Sequence, residues 1–205
     1  MFAVDTRFLK SLTVTVTYVI FGVPLKLIFA LFLAVLLKKG STFFRTALYI
    51  PSLVGGSVAI AVMWRQLFGK DGMISAFLGI FGIPSKNWIG SPDTALPVLI
   101  LLAVWQFGSS MVIFIAGLQN IPSDLYEAAE VDGARQIKKF FKITLPLLSP
   151  TIQFNLIQQL VGAFQVFTQG YIITEGGPMD STMFSVLYIF DQGLNRMRMG
   201  YASAM

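Results

Sequence analysis

The 205 residues carry 55% apolar and only 12% charged side chains, with a formal net charge of +5 and a mean hydropathy of +0.73. Soluble domains ordinarily hold about 25% charged residues, so this composition leaves too little polar surface for a water-facing globule and points to a set of membrane spans. There is no Cys and no His, which excludes disulfide scaffolds, thiol nucleophiles, Cys-based zinc sites and histidine general bases; the positive balance reads as loops facing anionic lipid, not as a nucleic-acid footprint.

A spanning helix needs about 20 mostly apolar residues. Four stretches meet or approach this: 12–37, 43–68, 95–118 and the more polar 150–174. A fifth, 183–190, is too short to span. Together they predict an all-α polytopic bundle forming one domain over 1–205. Lys26 falls in the middle of the first span, two residues after Pro24. An ionisable group at that depth is a functional candidate by default. With no acidic partner inside any span, a lysine that snorkels to the interface is the preferred reading.

The connections differ in character. The link after the first span is tight and basic (KKGSTFFR), 69–94 is a long Gly-rich loop, 119–149 is charged, and TEGGPMD forms a Gly-Pro turn. Lys38, Lys39, Arg45, Arg135, Lys138, Lys139 and Lys142 flank one side of the spans; Arg7, Lys10, Arg65, Lys70, Lys86, Arg196 and Arg198 flank the other. The counts are equal, but the first set is clustered beside span ends, which favours that side as cytoplasmic.

Residues 121–150 read IPSDLYEAAEVDGARQIKKFFKITLPLLSP. Pro122 bars a helix from extending backwards, and Asp124 with Glu127 fits a capping box. Gly133 suits a left-handed stop, so a helix of about nine residues fits between these signals. A second helix follows, with Arg135, Lys138, Lys139 and Lys142 predicted on one face and Ile137, Phe140 and Phe141 on the other. Taken alone, this is an interfacial amphipathic linker that holds topology.

The residues carry more than that. Glu127, Ala128, Ala129, Gly133, Ile143, Leu145 and Pro146 stand in the pattern EAA-x3-G-x9-I-x-LP. This resembles the EAA loop in the integral membrane subunits of ABC importers, the binding-protein-dependent permeases. AGLQNIPSDLYEAAEVDGA, ITLPLLSP, RTALYIPSL, TEGGPMDST and MGYASAM are similar to the sugar permeases of the maltose and glycerol-phosphate type, over nearly the full chain. The resemblance implies a cytoplasmic coupling loop over 119–149 that docks on an ATPase subunit. In it Glu127 makes a charged contact, Ala128 and Ala129 allow close approach, Gly133 sets the turn, and Leu145 and Pro146 tie the loop to the next span, with Ile143 a further fixed position of the coupling pattern. It further implies a second permease subunit, a dimer of ATP-binding subunits, an extracytoplasmic sugar-binding protein, and a multi-pass place in a bacterial or archaeal cell membrane. Members usually have about six spans, so one span is expected to be missing at each end.

In the fourth span Asn155, Gln158, Gln159 and Gln169 fall within about one third of the helix circumference, with Gln165 beside them and Gly162 in the same stripe. Uncharged amides suit sugar hydroxyls because each both donates and accepts. The stripe equally suits interhelical hydrogen bonds around a small-residue contact. No pattern marks a catalytic or metal site, so the chain is expected not to be an enzyme. It lacks a Gly-rich phosphate loop, so ATP is expected on a partner and no cofactor on this chain. The alternative reading, a subunit of an ion-coupled carrier or channel, would favour carboxylates within the spans. A membrane scaffold without a transport role would need neither the amide stripe nor the docking pattern.

Overall fold

The computed structural model describes residues 5–38, 40, 42–54, 57–70, 72–80, 82 and 86–205. Lys39 of the basic link and residues 55 and 56 of the second predicted span lie outside the described residues. Among the described residues all regular structure is helical.

The longest element, α1 (Thr6–Leu37), has 32 residues. At 1.5 Å per residue it measures about 48 Å, longer than the ~30 Å hydrocarbon core of a bilayer, and it is apolar enough to cross one. Ser11, Val14, Tyr18, Gly22, Leu27, Ala30 and Ala34 recur at helical spacing and are buried, while Ile20, Phe21, Ile28, Phe32 and Leu36 stand exposed on the opposite face. Both faces are apolar, as a helix meeting protein on one side and lipid or a partner on the other requires. Each end is capped. Asp5 accepts hydrogen bonds from the backbone N–H groups of Arg7 and Phe8, both at 3.1 Å. At the other end Arg45 donates to the carbonyls of Leu37 (3.1 Å) and Lys38 (2.7 Å), placing a cation on the orphan carbonyls of the helix terminus.

The remaining helices are α2 (Thr42–Val54), α3 (Val58–Phe68), α4 (Met73–Ile80), α5 (Pro92–Trp105), α6 (Gly108–Gln119), α7 (Ser123–Val131), α8 (Gln136–Lys139), α9 (Leu145–Phe164), α10 (Ser185–Phe190) and α11 (Met199–Ser203). α1 packs against α5, α6 and α9, and near its start against α10. Gly117 of α6 lets α9 approach: a Cβ there would lie 2.8 Å from Leu148 Cδ1 and from Thr151 Oγ1.

Three predicted spans are not straight helices. Phe43–Val54 and Val58–Ile80 lie at 94° to each other. Pro51 lies inside α2, which ends three residues later at Val54, and Ser57 starts a new helix by accepting from the Ile60 N–H at 3.4 Å. α5 and α6 bend by 41° around Gln106 and Phe107. The fourth span, read from the sequence as 150–174, runs instead as one helix from α8 through a wide π turn (Phe140–Thr144) into α9, and stops at Gln165. The wide turn gives room for the ring of Pro146, which in a regular helix would strike the carbonyl of Lys142. A second π turn, Gly170–Thr174, follows the break. The predicted loop 69–94 contains α4.

The start of α1 is clamped to the C-terminal part of the chain. Arg7 donates to both carboxylate oxygens of Asp180, at 3.0 and 2.6 Å, and Lys10 donates to the Met179 carbonyl at 2.6 Å. The hydroxyls of Tyr188 (2.7 Å) and Tyr201 (2.6 Å) donate to Asp5 Oδ2. These donors, Tyr201 first and Tyr188 second, hold the Asp5 carboxyl down to about 2, and Asp5 pushes the Tyr201 hydroxyl up to about 12. Arg7 likewise holds Asp180 below the ordinary carboxylate range.

Two outcomes follow from this packing. Gly117→Val should lower stability by about 1–3 kcal/mol through overpacking against Leu148 and Thr151, measured as a lower midpoint of thermal unfolding in detergent. Because the folded Asp5 carboxyl titrates below its ordinary 3.8, its stabilisation is present above about pH 4 and is lost as the pH falls toward 2. Acid unfolding followed by near-ultraviolet tyrosine dichroism should show a component in that window, and Asp5→Asn should remove it.

Candidate functional site

At the end of the bundle where α1 finishes, α7 projects with no buried residue. Pro122 precedes it with extended ψ, and no side chain caps it, so the Asp124–Glu127 capping box predicted from sequence is not formed. That leaves Glu127 exposed and without a local partner among the described residues. The C-terminus follows the expectation closely. Gly133 has φ +71°, its N–H donates to Glu130 O at 3.0 Å, and the Ala134 N–H donates to Ala129 O at 2.9 Å, which is the Schellman arrangement. Ala128 and Gly133 are exposed and Ala129 half-buried; Ile143 and Leu145 are half-buried at the foot of α9, and Pro146 is exposed.

The predicted faces of the second helix are reversed at three positions. Lys139, placed by sequence on the polar face, is only 4% exposed and pairs with Glu130 at 3.1 Å. Ile137, placed on the apolar face, is 74% exposed, and Phe141 is exposed as well. Lys139 turns inward to pair with Glu130 of α7, and Ile137, two residues earlier and about 200° away around the helix, is thereby turned outward; the π turn then breaks the 100° count for the residues that follow from Phe140. Further ties were not legible in the sequence. Tyr126 and Thr144 share a hydrogen bond at 2.9 Å, and the Lys38 ammonium sits 4.5 Å from the centre of the Tyr126 ring. α7 is thereby fixed to the π turn by a salt bridge and a hydrogen bond, and to the end of α1 by a cation–π contact. Between these elements lies a groove of about 860 Å³, bordered by Val35, Leu118, Tyr126, Glu127, Lys139 and Phe141. With Val131 88% exposed beside it, the end presents an apolar surface flanked by charge, the composition of a protein-docking face.

The amide stripe divides. Asn155 is fully buried, and its Nδ2 donates to the Ser110 carbonyl of α6 at 3.0 Å; it joins helices and lies outside the cavities lined by the other amides. Gln158 is exposed and lies outside the cavities lined by the other amides. Gln159 and Gln169 line a cavity of about 210 Å³ with Tyr18, Gly22 and Lys26 of α1 and Gln106 at the end of α5. Gln165 and Gln169 line an adjoining cavity of about 180 Å³ with Ser57 and Thr168. The two share Gly162, Val166 and Gln169 in their walls. Gly162 is open, with nothing within 4 Å of a Cβ built on it, so it makes no small-residue helix contact. Tyr18 donates to Gln169 Oε1 at 3.2 Å. Lys26 therefore faces an internal polar cavity instead of snorkelling, a placement that the helix breaks at Gln106 and Gln165 create and that hydropathy does not register. Among the described residues no cluster of acidic side chains could hold a metal ion.

The family model described as "Binding-protein-dependent transport system inner membrane component" matches residues 2–205. The chain is 56% identical to the probable ABC transporter permease protein YesP of Bacillus subtilis (strain 168), a match covering 100% of this chain and 68% of that protein. It is 35% identical to the arabinooligosaccharides transport system permease protein AraP of the same organism, over 98% of this chain and 65% of that protein. Its fold matches a chain in the crystal structure of a bacterial alginate ABC transporter in complex with an alginate pentasaccharide-bound periplasmic protein, with a TM-score of 0.87 at 22% identity, over 99% of this chain and 73% of that chain. The chain belongs to the inner membrane components of binding-protein-dependent transport systems, the permeases of ABC transporters.

Proposed function

We propose that this chain is a permease subunit of an ATP-driven importer for carbohydrate, and that α7 is the element through which an ATPase subunit drives it. The observation that carries the proposal is the exposed α7 bearing Glu127, Ala128 and Ala129, closed by Gly133 and anchored at Glu130–Lys139 and Tyr126–Thr144. A transducing element must be rigid, free on one side and tied on the other, and α7 meets each requirement. Carbohydrate as cargo is supported by relatives named for arabinooligosaccharides, lactose, and trehalose or maltose, and by neutral amides facing the internal cavities.

In this scheme two ATP-binding subunits close on ATP and draw the docked α7 helices together. The motion passes to α9 and α1 and turns the cavity between inward-facing and outward-facing states. ATP resides on those subunits, a second permease completes the path, and an extracytoplasmic binding protein delivers the sugar at the clamped end of α1. The chain crosses the cell membrane of a bacterium or archaeon several times, with the α7 end in the cytoplasm. An ion-coupled carrier would place carboxylates along its spans, whereas Asp5 and Asp180 lie at the clamped end and Asp124, Glu127 and Glu130 on α7.

Glu127→Lys should leave the subunit folded and inserted but lower uptake by the reconstituted complex at least about tenfold, as loss of one charged interface contact implies; uptake within twofold of the parent would refute the role. Gly133→Ala forces a Cβ into left-handed backbone at a cost of about 1 kcal/mol. It should reduce uptake, and Gly133→Asn, which tolerates that conformation, should retain more of it, both measured per assembled complex.

A further inference from the structure

Among the described residues Lys26 is the one charged side chain in the walls of the amide-lined cavity, and no Asp or Glu lines it. Its depth is not an accident of where the helix ends. Lys38, at the end of α1, is twelve residues on, about 18 Å along the axis, farther than a lysine side chain extends. Among the described residues no ion pair reaches it: the salt bridges fall at Arg7–Asp180, Arg65–Glu175, Lys139–Glu130 and Arg196–Asp191. The C-terminal ends of α5 and α9 meet at the cavity through Gln106, Ala163 and Val166, and their dipoles offset part of the charge. The remainder is uncompensated in a place where an unpaired ion is costly.

Neutral sugar hydroxyls are served by amides alone. A cation held among three glutamines and a tyrosine hydroxyl adds one thing, attraction for a negative substituent. We infer that Lys26 is the charge-selecting residue of the path, and that the cargo is a saccharide bearing a carboxylate, a sugar acid, whose carboxylate pairs with Lys26 while Gln106, Gln159 and Gln169 meet its hydroxyls. A single ammonium matches a monoanionic carboxylate; a phosphate ester carries −1.5 to −2 at neutral pH and favours the forked donors of Arg, and no Arg lines the cavity. At about 210 Å³, the space is below the ~300–1,000 Å³ of most ligand pockets, so it takes one acidic ring while the rest of the saccharide occupies the adjoining cavity and the partner's side of the path.

This inference rests on the importer reading, and its test separates the two. The full complex with its binding protein is reconstituted in proteoliposomes. Uptake is measured for disaccharides containing glucuronate, galacturonate or mannuronate, for their carboxyl-reduced neutral counterparts, and for a hexose phosphate. The parent complex should carry at least one uronate disaccharide. Lys26→Gln and Lys26→Met should lower that uptake at least about tenfold, the effect of deleting one charge-assisted hydrogen bond, whereas Lys26→Arg should retain more than about half. Elution of each variant as an assembled complex in size-exclusion chromatography separates a transport defect from a folding defect. The inference is overturned if Lys26→Gln stays within twofold of the parent, if Lys26→Arg is as impaired as Lys26→Gln, if the carboxyl-reduced sugars lose uptake equally, or if only the hexose phosphate depends on Lys26. A parent complex that carries neutral disaccharides and no uronate overturns the charge assignment and leaves the importer reading standing. A parent that carries no saccharide overturns the importer reading itself.

Discussion

A bilayer interior supplies no hydrogen-bond partners, and the placement of polar groups in this bundle follows from that constraint. Thr15 returns its hydroxyl to the Ser11 carbonyl at 2.8 Å and accepts from the Ser185 N–H at 2.9 Å. Asn155 spends its amide on the Ser110 carbonyl, and Tyr18 its hydroxyl on Gln169. Where helices break, at the ends of α5 and α9, Gln106, Gln159 and Gln169 enclose space instead of meeting hydrocarbon. The cavity is thus a consequence of interrupted helices, since irregular backbone at this depth is tolerated only where it is enclosed by protein or lines a polar space.

The two ends of the molecule are built on different physics. One is tied by ions and tyrosine hydroxyls: Arg7–Asp180 and the two tyrosines on Asp5 close the chain over sequence separations of 173 to 196 residues. The other is tied more lightly and leaves α7 free along one side. The clamp gives a local meaning to two motifs by which the sequence resembles sugar permeases, since Asp180 belongs to TEGGPMDST and Tyr201 to MGYASAM. Their common task here is to hold the start of α1.

How much could be read in advance depends on how local the signal is. α7, its left-handed stop at Gly133 and the long apolar α1 were legible because each is decided within a few turns of chain. The faces around Lys139 were not, because periodicity groups residues into faces without saying which face is buried, and the tie of Lys139 to Glu130 on α7 decides it. The amide stripe was legible as polar but not as divided: its five members lie on one arc only if the helix continues to Thr174, and it ends at Phe164. Burial of Asn155 and the opening at Lys26 depend on which helices bend, and bends at Gln106 and after Pro51 answer to tertiary packing more than to composition. The clamp joins residues nearly the whole chain apart, and nothing in either segment alone names its partner.

The unbroken run from α8 through the π turn into α9 has a mechanical consequence. From Gln136 to Phe164 it is about 43 Å long, gripped near its base by Glu130 and Tyr126 of α7 and ending where the cavities begin. It is a lever whose short arm is held by α7. A rock of about 5° at the π turn, where a helix bends most readily, sweeps the distal end of the 20-residue α9, about 30 Å away, through roughly 2.6 Å, about the diameter of a water molecule. Gln159, Gly162 and Val166 ride at or near that end, so a small displacement at the surface becomes an opening or closing of the polar cavity without any helix having to unfold.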